Sequence, residues 1–106
     1  MKANRILIAE DLELPFKCDL YVLEKIQEKY ETIPTFEKLI ASSEPSISAI
    51  NFALPLMIRE GMEIEHIEDD PQFKNDEDII RAVSISYRKI AIDMHMEFAK
   101  CFQIKK

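Results

Sequence analysis

Apolar positions along this chain follow two rhythms, and the change between them sets the expected elements. Residues 5–9 (RILIA) are extended in character. Residues 12–17 (LELPFK) alternate Leu12, Leu14 and Phe16 with Glu13, Pro15 and Lys17, the period of a strand with one apolar face. Together they predict a β-hairpin closed by Glu10-Asp11, although that pair is a poor two-residue turn. Pro15, lacking an N–H for the ladder, belongs at an edge or outward position. A lone hairpin is marginal and must lie on helices or on another chain.

From residue 19 the spacing turns helical. Asp19 is placed to cap a helix, DLYVLEKIQEKYE, with Val22, Leu23, Ile26 and Tyr30 on one side. Glu24, Lys25, Glu28 and Lys29 form its solvated face. A short helix follows over Pro34–Ala41, with Phe36, Leu39 and Ile40 inward. Ser43 or Glu44 then caps a third helix, with Pro45 in the first turn, where a missing N–H costs nothing. This helix covers about 46–60 and carries Ile47, Ile50, Leu54, Met57 and Ile58 as its main stripe. Phe52 and Leu56 project from the opposite side. A helix apolar nearly all round is a central one, covered on both faces. Pro55 should bend it, and Gly61 should end it as a C′ residue.

Met62–Glu68 reads as a short strand or an extended loop, and residues 69–74 as a connection. The last helix is long, from Asn75 or Asp76 to Gln103, with acids in its first turn and lysine near its last. Ile80, Val83, Tyr87, Ile90, Met94, Phe98 and Phe102 share one face. Ile85, Ile92 and Met96 form a second apolar stripe roughly opposite. That stripe needs cover, either within the chain's own core or from a neighbouring subunit. The fold class expected is mainly α with an α+β character: one domain over 1–106, a hairpin within 1–18, and about four helices over 19–106.

Composition narrows the function classes. A chain of 106 residues with 47% hydrophobic and 32% charged residues supports one modest core. Its single glycine excludes phosphate-cradling loops and the dinucleotide fingerprint, which need several glycines at fixed offsets. A net charge of −6 argues against nucleic acid as a partner, and Lys100, Lys105 and Lys106 are better read as the cationic end of the last helix. The longest uncharged run, Pro45–Ile58, is too short to span a bilayer. Glu10 and Asp11 interrupt the N-terminus where a signal peptide would be apolar, so the expected location is cytoplasmic, away from membranes. Cys18 and Cys101, far apart and without a C-x-x-C partner, read as buried reduced thiols rather than a disulfide.

Candidate chemistry is sparse. Glu63, Glu65, His66, Glu68, Asp69 and Asp70 gather six possible ligands in eight residues. A calcium loop starting at Asp69 would need glycine where Lys74 stands. A zinc or iron site would want a second histidine nearby, and His95, between Met94 and Met96, is the only other one. The stretch therefore reads as a solvated acidic loop, with His66 at the surface, and no metal or other cofactor is expected. Nothing local marks Cys18 as an activated thiol beside His66 or His95. Carboxylate pairs such as Glu68/Asp69 and the Asp76–Asp78 run suit a loop and a helix N-terminus. The chain is not expected to be an enzyme. An apolar central helix, a doubly apolar last helix and a hairpin with open edges are instead the parts of a small assembly module.

The order of elements, and two stretches within it, resemble the small tail assembly chaperones of long-tailed phages and prophages of Gram-positive bacteria. The first stretch is matched by Phe16, Asp19, Leu20, Leu23, Ile26, Gln27, Glu28 and Tyr30, the second by Met57, Ile58, Glu60, Gly61, Met62, Glu63, Ile64 and Glu65. The resemblance covers roughly residues 5–95 and departs from the family in its Glu10-Asp11 turn and in short loops near 41–44 and 69–75. It implies a non-catalytic protein of the bacterial host cytoplasm that self-associates and coats the tape measure protein during tail assembly, with the tail tube protein as a further partner. A longer frameshifted product commonly accompanies the short form in this family, and this chain would correspond to the short form. On that reading Phe52, Leu56, Ile85, Ile92 and Met96 would supply the interface. The alternatives are a small helical adaptor with a different partner and, less favoured, a metal-dependent enzyme using His66 and its acids.

Overall fold

The computed structural model describes residues 3–66 and 73–102. Two antiparallel strands, β1 (Asn4–Ala9) and β2 (Leu12–Phe16), precede five helices: α1 (Leu20–Tyr30), α2 (Ile33–Ala41), α3 (Ile47–Ile64), α4 (Asp76–Ala82) and α5 (Tyr87–Phe102). The mixed α+β class, the N-terminal hairpin and the long last helix are as the sequence pattern requires. The interior connection 67–72, and the C-terminal residues 103–106 with Gln103, Lys105 and Lys106, lie outside the described residues.

In the hairpin, Ile6 pairs with Leu14 and Asn4 with Phe16, and the register slips by one residue between Leu7 and Ala9. A two-residue turn of the favoured primed type needs positive φ at both central residues. Among the described residues other than glycine, only Glu31 and His66 have positive φ, so Glu10-Asp11 makes an unprimed turn. The bulge at Ile8 supplies the extra twist such a turn lacks. Ile6, Ile8, Leu14 and Phe16 are buried beneath it. Pro15 does not face outward; it is buried opposite Arg5, where β2 lies against α3.

Local chemistry starts the helices. The Asp19 carboxylate accepts from the Val22 N–H at 3.1 Å and caps α1. Thr32 caps α2 through the Thr35 N–H. The cap of α3 is Ser46, whose hydroxyl accepts from the Ala49 N–H at 3.1 Å. The expected caps Ser43 and Glu44 are displaced because Ser42 takes the Glu44 N–H into a local turn, and Pro45 precedes the helix instead of opening it.

Two further boundaries differ from the sequence reading. Gly61 does not terminate α3, which continues to Ile64, so Met62–Ile64 is helix rather than strand or loop. The glycine is buried without positive φ, and an added Cβ would stand 2.5 Å from the Phe16 nitrogen and 2.6 Å from the Phe16 Cα. Gly61 is there because the β2 backbone crosses α3 at contact distance. The Lys17 N–H donates to the Met57 carbonyl at 2.9 Å and ties the same crossing.

The single helix expected over 75–103 is two. The Asn75 side chain and Asp78 form a reciprocal capping box at the start of α4. The chain leaves helical geometry at Val83, and the Ser84 N–H donates to the Ile8 carbonyl at 2.8 Å. Ser86 reopens the helix, its hydroxyl accepting from Arg88. The break shifts the phase of α4, so Ile79 is fully buried while Ile80 is only half-buried. In α5 the expected face holds: Ile90, Met94 and Phe98 are fully buried. Phe36 joins α2 to α5 through Phe98, with ring centres 5.4 Å apart, and packs at the same distance, tilted by 47°, against Tyr30 of α1. No helix among the described residues is long and apolar enough to cross a membrane.

Candidate interaction surfaces

The five residues expected to form an interface do not share one face. Phe52 is half-buried, with its ring edge-on to Tyr30 at 5.8 Å and the Lys29 ammonium 5.4 Å above it. Leu56, also half-buried, lines a cleft of about 350 Å³ with Tyr21, Arg59, Glu60, Glu63 and Asp76. Ile85 lines a groove of about 460 Å³ whose walls include Ile47, Leu54, Val83 and Tyr87. Ile92 and Met96 lie one turn apart on α5 and are 57% and 59% exposed. Ile92 borders a smaller hollow with Pro45 and Arg88. Met96 borders a cleft of about 490 Å³ between the hairpin and α5, with Arg5, Lys89 and Lys100 set against Glu13, Asp93 and Glu97.

Three large apolar side chains outside that set are open to solvent: Leu20 at 82%, Tyr21 at 52% and Ile47 at 55%. Leu20 and Tyr21 were legible as leftovers, because the buried side of α1 is complete without them. Ile47 was placed on the main stripe of α3, yet it stands clear of the core because Ile50 and Leu54 on the same helix take the buried positions.

Beside Tyr21 and Leu56 the structure assembles acids from two elements. Glu60 of α3 hydrogen-bonds with Asp19, the cap of α1, and its carboxyl is pushed up to about 7. The shared hydrogen bond is the main cause, followed by burial and by the charges of Asp19 and Glu63. Near neutrality this pair holds one exchangeable proton. Arg59 is committed elsewhere, to Asp76 at 2.7 Å and to the Phe73 carbonyl. None of Asp19, Glu60 and Glu63 takes part in an ion pair among the described residues.

Other polar groups join one element to another. Glu65 bridges to β1, accepting from the Ala3 N–H at 2.9 Å and from Arg5 at 3.0 Å. Asn4 donates to the buried Glu97 carboxylate. His95 meets Glu37 at 3.1 Å, and His66 is exposed at the end of α3 with φ 58°. The described residues contain no cluster of three metal-ligating side chains. Cys18 and Cys101 are free thiols, and the fold sets them side by side. Burial pushes the Cys18 thiol up, as do Cys101, Asp19 and Glu97, which keeps it protonated and a weak nucleophile.

No protein-family profile matches the chain, nor does any curated protein or any solved structure.

Proposed function

We propose that this chain is a non-catalytic interaction protein, a tail assembly chaperone of a phage or prophage that self-associates and binds the tape measure protein in the host cytoplasm. The observation that carries the reading is the exposure of large apolar side chains from three separate helices. Leu20 and Tyr21 on α1, Ile47 on α3, and Ile92 and Met96 on α5 are each more than half exposed. Single exposed apolar residues are ordinary. Five in a small domain, most beside clefts of about 240–490 Å³, suit a surface that is covered in an assembly.

The junction between the two stretches that carry the family resemblance adds support. Phe16 from the first crosses Gly61 from the second at backbone contact, and Asp19 from the first hydrogen-bonds with Glu60 from the second. Residues that look like separate motifs therefore have one joint structural role. The surplus of acids, a net charge of −6, would keep a complex with an apolar helical partner soluble and turn nucleic acid away.

Co-expression with the tape measure protein of a long-tailed phage tests the reading. The expected result is a soluble complex that co-purifies through the untagged partner, with that partner insoluble when expressed alone. A partner that is equally soluble without this chain, and that does not retain it, overturns the proposal and leaves an adaptor with a different partner as the better reading.

A further inference from the structure

We propose that Leu20, Tyr21 and Leu56, bordered by Asp19, Glu60 and Glu63, dock a helical partner segment that presents a lysine or arginine beside apolar side chains. This deepens, and rests on, the reading of the chain as an interaction protein. It concerns one surface only and needs no particular phage partner to be tested.

The apolar part comes first. Leu20 is the most exposed large hydrophobic residue described, at 82%, and it occupies the first turn of α1, where nothing local requires an apolar side chain. Tyr21 follows it with half its surface open and with the Lys25 ammonium 5.5 Å from its ring centre. Leu56 of α3 and Tyr21 of α1 line opposite elements of one cleft of about 350 Å³, room for one or two side chains of a docked helix.

The charge around this cleft selects the occupant. Around Glu60 stand Asp19 of α1 and Glu63 of α3, with Arg59 of α3 and Asp76 of α4 lining the same cleft and Lys25 of α1 beside the Tyr21 ring. Arg59 and Asp76 cancel each other at 2.7 Å, and Lys25 pairs with Glu28 at 3.7 Å. Among the described residues Asp19, Glu60 and Glu63 pair with no cation, and they lie close enough that Glu60 holds its proton up to about 7. A lysine or arginine arriving at the rim would supply the missing positive charge, while its apolar neighbours cover Leu20 and Tyr21. An acidic segment would add a further like charge.

The arriving cation favours ionised Glu60, so docking displaces the shared proton. If only the ionised form binds, affinity should rise by up to about tenfold from pH 6 to pH 8, following the competent fraction of a group that titrates near 7.

The experiment uses a fluorescent amphipathic helical peptide of leucine and lysine, and a matched peptide of leucine and glutamate, titrated with the full chain. The lysine peptide is expected to bind the native chain and to weaken by about fivefold or more with Leu20→Ser, the loss typical of truncating a contributing interface residue. Glu60→Gln should weaken binding at pH 8 and remove its dependence on pH, while Glu44→Gln, at an exposed carboxylate in the α2–α3 loop, changes neither. Circular dichroism confirms that each variant is folded. Equal binding of both peptides overturns the proposal, as does equal binding to native, Leu20→Ser and Glu60→Gln chains, which would show only general attraction to an acidic protein. A chain that self-associates yet ignores the peptide loses this surface alone. A monomer that binds the peptide with the expected losses keeps the surface and loses self-association.

Discussion

Replacing Gly61 by alanine sets two large effects against each other. In the interior of a helix, alanine is favoured over glycine by about 1 kcal/mol, so helix propensity alone predicts a gain. The added Cβ would lie 2.5 Å from the Phe16 nitrogen and 2.6 Å from both the Phe16 Cα and the Pro15 carbonyl carbon. All three neighbours are backbone atoms that no rotamer change can move. Relief requires β2 to shift away from α3, straining the Lys17–Met57 hydrogen bond and opening the packing of Phe16. Overpacking of this kind costs about 1–3 kcal/mol, occasionally more, and with no side chain able to yield, the upper end applies. The net expectation is a destabilisation of about 2 kcal/mol, or a fall in Tm of roughly 10 °C for a domain of this size. Urea unfolding followed by circular dichroism measures it. Gly61→Asn separates the contact from a helix-ending role. Asparagine is tolerated in a left-handed C′ position, whereas here it meets the same backbone and should cost at least as much as alanine. A Gly61→Ala chain as stable as the native one would refute the reasoning.

Four further outcomes follow from the same structure. Asp19→Ala should cost about 1 kcal/mol through loss of the α1 cap, and NMR titration should show Glu60 moving down from about 7 towards its ordinary value of 4.5. Because the folded chain raises the Glu60 value, the associated stability is full below 4.5 and drains as pH rises through about 7. The native chain should therefore lose urea resistance between pH 5 and pH 8 relative to Glu60→Gln, and parallel slopes would contradict this. Phe98→Ala, which removes a fully buried ring 5.4 Å from Phe36, should cost about 3–5 kcal/mol by urea unfolding. Ile92→Asp and Met96→Asp, at side chains more than half exposed, should each stay within about 0.5 kcal/mol of native stability.

The elements were legible in the sequence wherever the signal was local. Alternation from Leu12 to Phe16 gave β2, and Asp19 before an apolar stripe gave α1 and its cap. Where the deciding contact was remote, the pattern misled. Met62 and Ile64 continue the α3 period past Gly61, and only the crossing of Phe16 explains the glycine. Val83, Ile85 and Tyr87 keep a spacing that suits one uninterrupted helix, while the break depends on the Ile8 carbonyl claiming the Ser84 N–H. The candidate surface fared similarly. The second stripe of α5 is exposed at Ile92 and Met96 as the helical wheel implies, but Ile85 lies in the break and faces a different groove. The Asp19–Glu60 pair had no signal in the sequence, because it joins a helix cap to a distant helix.

Light scattering of the purified chain across a hundredfold range of concentration, alongside the Ile92→Asp/Met96→Asp double variant, tests self-association most directly. The account predicts a native mass that rises to a defined multiple of the single chain and a folded double variant that stays smaller at every concentration. A native chain that remains strictly monomeric at the highest concentration would contradict it.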